Sequence, residues 1–98
     1  MKLIDLVNAR DSLQKLIAQD LPIRKAYELM KFTDLCNRHL EFYGQEIAKF
    51  DPAENPERLK DLNEMAVDDV ARITVPTTDN LKLSAADVKM LLPLIDFE

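Results

Sequence analysis

A single glycine in 98 residues excludes a glycine-rich turn architecture and leaves nothing from which to build a phosphate-cradling loop. A single cysteine rules out an intrachain disulfide and fits a reducing compartment. A single histidine leaves few nitrogen ligands for a metal. No apolar run approaches the length of a membrane span, and Met1-Lys2-Leu3-Ile4-Asp5 reaches an acid too early for a signal peptide. The expected location is the cytoplasm, with no membrane partner. Apolar residues at 47% and charged residues at 32% suit one small soluble domain covering 1–98.

Charge is unevenly spread. Residues 1–50 carry eight Lys/Arg against seven Asp/Glu, a net of +1. Residues 51–98 carry five against eleven, a net of −6. Nucleic-acid binding is disfavoured, since phosphate contacts need clustered bases and Arg24-Lys25 is the only adjacent basic pair.

The most regular feature is a stripe. Ala26, Leu29, Thr33, Cys36, Leu40, Tyr43, Ile47 and Phe50 step by three and four, the spacing of one helix face. A second helix is therefore expected from Pro22 to Phe50, roughly 40 Å long at 1.5 Å per residue. A first helix is expected to begin at Asp5 as cap, with Leu6, Ala9, Leu13, Leu16 and Ile17 inward, and to break at Leu21-Pro22. The two form a helical hairpin over 1–50. The first helix is too short to cover the second, so the excess must be covered by the C-terminal half or by another chain. Gly44, inside the pattern, implies close backbone approach or a bend.

Asn55-Pro56-Glu57 marks a helix start, giving a third helix from Pro56 to Ala66 with Leu59, Leu62 and Met65 inward. Ala71-Arg72-Ile73-Thr74-Val75 alternates and predicts a strand. A turn over Thr77–Asn80 and a second strand at Leu81-Lys82-Leu83 would complete a β-hairpin, and Met1–Ile4 is a further strand candidate. Ser84 with Asp87 forms a capping-box variant opening a last helix to Leu92. Leu94, Ile95 and Phe97 are expected to tuck onto the core. The expected fold is mainly α with a minor β-hairpin, residues 51–98 forming an acidic helix–strand–helix portion.

No constellation selects a reaction. Cys36 and His39 share a helix face, but two ligands do not make a zinc site, and a small thiol in an apolar stripe reads as core. Asp61, Glu64, Asp68 and Asp69 lack the spacing and central glycine of a calcium loop. Tyr27, Phe32, Phe42, Tyr43 and Phe50 lack the basic groove of a base-stacking platform. No nucleophile elbow, P-loop or dinucleotide fingerprint is present. No catalytic, cofactor-binding or metal residue is assigned, and no cofactor is expected.

Several segments together resemble a known group. Asn8-Ala9 with Leu13 and Leu16, Leu21-Pro22, Ala26-Tyr27-Glu28-Leu29, Ile73-Thr74-Val75-Pro76, Leu83-Ser84-Ala85-Ala86-Asp87 and Pro93 are similar to small uncharacterised proteins encoded by tailed phages and prophages of Gram-positive bacteria. The resemblance implies a phage or prophage context and carries no activity with it.

The leading expectation is a non-enzymatic helical interaction protein that self-associates or docks on a protein partner through the second helix. Its candidate interface is Leu29, Thr33, Cys36, Leu40, Tyr43, Ile47 and Phe50. The alternative is an acidic inhibitor of a host defence or nucleic-acid-handling protein, using Glu57, Asp61, Glu64, Asp68 and Asp69 against a basic groove. A small enzyme with an unidentified site is the third reading.

Overall fold

A computed structural model describes residues 1–77 and 81–98. The chain is mainly helical: α1 (Leu3–Ile17), α2 (Ile23–Ile47), α3 (Pro56–Asn63) and α4 (Ala85–Leu91), with β1 (Ile73–Val75) and β2 (Ile95–Phe97). The molecule measures 46 × 24 × 18 Å. α2 sets the long dimension, since its 25 residues rise about 37 Å.

α1 starts earlier than the expected cap. Lys2 is the N-cap, and Asp5 sits one turn inside, its carboxylate accepting from the Lys2 amide at 2.9 Å. Leu3, Leu6, Ala9, Leu13 and Leu16 are buried, whereas Ile17, expected inward, is exposed at the helix end. Pro22 caps α2 instead of entering its first turn, and the helix closes at Ile47, three residues before Phe50. Asn55 precedes α3, but its side-chain amide turns back to the Asp51 carbonyl at 3.1 Å and does not cap. α3 ends at Asn63, so Met65 leaves the helical register and is exposed instead of inward.

The expected β-hairpin is replaced by a parallel pair. β1 and β2 align Ile73 with Ile95, Thr74 with Asp96 and Val75 with Phe97. Parallel strands need a crossover, and α4 lies within it. Leu81-Lys82-Leu83 is not a strand. The Gln19 side chain occupies the backbone groups a partner strand would take: its Oε1 accepts from the Lys82 amide at 2.8 Å, and its Nε2 donates to the Lys82 carbonyl at 3.4 Å. Of the expected turn, residues 78–80 lie outside the described residues. The Met1–Ile4 strand reduces to one antiparallel bridge, Lys2 with Ala66.

One core draws on both halves of the chain: α1, the inner face of α2, Leu62, Val67, Val70, Val75, Leu91, Leu94 and Ile95. Leu94 and Ile95 are fully buried, and burial of such a side chain stabilises by about 1.5–3 kcal/mol. Arg72 holds this segment from outside, donating to the Pro93 carbonyl at 2.9 Å and through Nε to Asp96 at 3.1 Å.

Candidate functional site: the outward face of α2

From Leu29 onward the apolar stripe is the inner face of α2, while Ala26 at its start is exposed. Leu29, Thr33 and Cys36 are buried within the chain itself. Thr33 satisfies its hydroxyl by donating to the Leu29 carbonyl at 2.8 Å. Leu40, Tyr43, Ile47 and Phe50 are half-buried against the same core. α3 covers this far end: the Tyr43 hydroxyl donates to Asn63 Oδ1 at 2.8 Å, and the Arg58 guanidinium lies over the Phe50 ring at 4.6 Å. The candidate interface residues are therefore core and core rim, because the short α3 folds back along α2 and closes the length that α1 leaves open. Gly44 meets no close backbone; a methyl group added there would touch nothing within 4 Å.

A group of exposed apolar side chains lies on another side of α2, at its N-terminal end. Ile23 is 89% exposed, Tyr27 54% and Met30 49%. Their spacing of four and three places them on one helix face, and exposed Ile17 stands near it across a groove. That groove has a volume of about 350 Å³ and is walled by Ile17, Leu21, Ala26, Leu29 and Met30. Its polar lining is Gln19, Thr33, Asp34 and Asn37. Asp34 is the one titratable group among these, so the groove offers no acid–base pair. The α2 sequence carried a signal for this face, since Ile23, Tyr27 and Met30 lie outside the main stripe. The structure shows all three exposed, with Lys31 lying over the Tyr27 ring.

The groups singled out for chemistry are engaged structurally. Cys36 is fully buried. Its burial pushes the thiol up to about 12, and the Asp69 carboxylate adds to the rise, so the thiolate needed for attack or metal binding is not formed near neutrality. His39 Nε2 lies 2.7 Å from Asp69 Oδ1. Among the described residues no group of three or more His, Cys, Asp or Glu is arranged to hold a metal ion.

Glu57, Asp61, Glu64, Asp68 and Asp69 are all exposed. Glu57 and Asp61 share the outward face of α3 by their spacing, with Glu64 just past its end as the C-cap, while Asp69 is turned to His39. Among the described residues no helix is long and apolar enough to cross a membrane. No protein-family model, curated protein or solved structure matches the chain.

Proposed function

We propose that this chain is a non-enzymatic helical interaction protein that self-associates through the outward, N-terminal half of α2. The observation that carries this reading is the contiguous exposed ridge of Ile23, Tyr27 and Met30. It remains uncovered in a protein that buries its other large apolar helix face. Such patches mark interaction surfaces, and a second copy supplies a partner whose charge fits. The setting that the sequence resemblance implies is a phage-infected or prophage-carrying host, with the protein acting in the host cytoplasm. Sedimentation velocity over a range of protein concentrations tests the reading. A sedimentation coefficient that rises with concentration is the expected result. A strict monomer at about millimolar concentration, weaker than the range typical of specific association, contradicts it.

A further inference from the structure

The exposed ridge of α2 has a charged border. Arg24, Lys31 and Arg38 recur at seven-residue intervals, so they form one row with steps of about 10 Å. All three are exposed, and among the described residues none makes an ion pair. Lys31 instead lies over the Tyr27 ring, its Nζ 4.6 Å from the centroid. The near half of α2 thus offers an apolar ridge with Arg24 and Lys31 along one edge and Asp34 at its end, while Arg38 continues the row into the far half, one turn before Phe42.

The far end of the molecule carries the complementary pattern. Phe42 follows Arg24 by about five full helical turns, so the two residues lie on the same side of α2. There, Phe42, Phe50, Leu62 and Met65 line a groove of about 190 Å³, bordered by the acids Glu46 and Asp61 and by Arg58, whose guanidinium is already engaged over the Phe50 ring. Phe42 and Met65 are exposed. Asp61 is the middle member of a row of acids, Glu57 and Asp61 on α3 and Glu64 at its C-cap. From Glu57 to Glu64 is about 10 Å along the helix, the same interval as between neighbouring bases of α2. Among the described residues these three acids make no ion pair.

We infer that the occupant of the basic-edged ridge on α2 is the acid-edged groove between α3 and the far end of α2 in a second copy of this chain, an assignment that rests on α2 being the docking surface. Two copies laid antiparallel along α2 make this contact twice and close as a two-fold dimer. The ridge of each enters the groove of the other, and the two bases nearest it meet the α3 acids. A parallel arrangement would set bases against bases and acids against acids. The apolar core of the contact supplies the affinity, while the charged border fixes the orientation.

Charge exchange tests the pairing. One triple variant carries Arg24→Glu, Lys31→Glu and Arg38→Glu; a second carries Glu57→Lys, Asp61→Lys and Glu64→Lys. Circular dichroism first establishes that both remain helical. Each alone is expected to dimerise about tenfold or more weakly than wild type, and the equimolar mixture to recover a species of dimer mass. A control carrying Asp11→Lys, Asp20→Lys and Glu98→Lys brings the same added charge elsewhere and is expected not to restore association with the first variant. Recovery with the control as good as with the α3 variant overturns the pairing. So does a wild-type dimer unaffected by either reversal, although that result leaves α2 docking intact. A wild-type chain that is monomeric at every concentration removes both.

Discussion

The Ser12 hydroxyl donates to a carboxylate oxygen of Asp87 at 2.8 Å, joining α1 to α4 across 75 positions of sequence. The same carboxylate receives Lys15 at 3.3 Å and, with Ser84, forms the capping box that starts α4. One side chain therefore begins a helix and fixes where that helix sits. Ser12 and Asp87 are both buried, so each satisfies a polar group that would otherwise be costly to leave unpaired.

Stability is predicted to depend on the ionisation of Asp87. The Ser12 hydrogen bond is the largest influence holding its carboxyl down, helped by Ser84 and Lys15 and opposed by desolvation, and the result is a pKa of about 2 against an ordinary 3.8. A folded-state value below the unfolded one means stability present above the unfolded pKa and lost as pH falls through the folded one. The contribution should be full above pH ~4 and fade between ~4 and ~2. Asp96, held down by Arg72, acts in the same direction, so the informative quantity is the difference between wild type and Asp87→Asn. Thermal melts should show that difference large near neutrality and vanishing at about pH 2. A pH-independent difference would mean that the carboxylate charge does not matter.

Gly44→Ala is predicted to stabilise the protein. Glycine inside a helix costs about 1 kcal/mol relative to alanine, and the added methyl meets open space. Urea melts should show a gain of roughly 0.5–1 kcal/mol. A loss would indicate that another molecule approaches the backbone at that turn.

Cys36 is predicted to be unreactive in the folded protein. Its thiol is fully buried and pushed up to about 12. A thiol reagent at pH 8 should label it only as the protein unfolds, with the labelling rate tracking urea concentration. Rapid labelling of native protein would place Cys36 at the surface.

Much of this fold can be read along the chain, and the departures have physical causes. The four helices follow from apolar spacing and from the prolines at 22 and 56, because those signals are local. The strand at Ile73–Val75 is also local, in its alternation and β-branched residues. Its partner is not. Leu81–Leu83 is nearer in sequence, but Gln19 takes the Lys82 backbone groups, and Ile95–Phe97 pairs with β1 instead. The α2 stripe was legible as a helix face, but which side faces the core depends on where α3 returns. Tyr43 bonding to Asn63 and Arg58 over Phe50 are contacts between elements with no sequence signature. They turn the stripe inward and leave Ile23, Tyr27 and Met30 exposed on another face. The exposure of the five acids follows from their charge, whereas the link between Asp69 and His39 does not.

The most direct test of α2 docking is the mass of wild type and Tyr27→Asp in solution, measured by light scattering at matched concentration. Tyr27 is more than half exposed and lies outside the core, so the substitution should leave the helical circular-dichroism spectrum unchanged. The expected result is a wild-type mass near twice the 11.3 kDa chain and a variant mass near one chain. Equal masses for the two proteins, with both folded, would contradict the account.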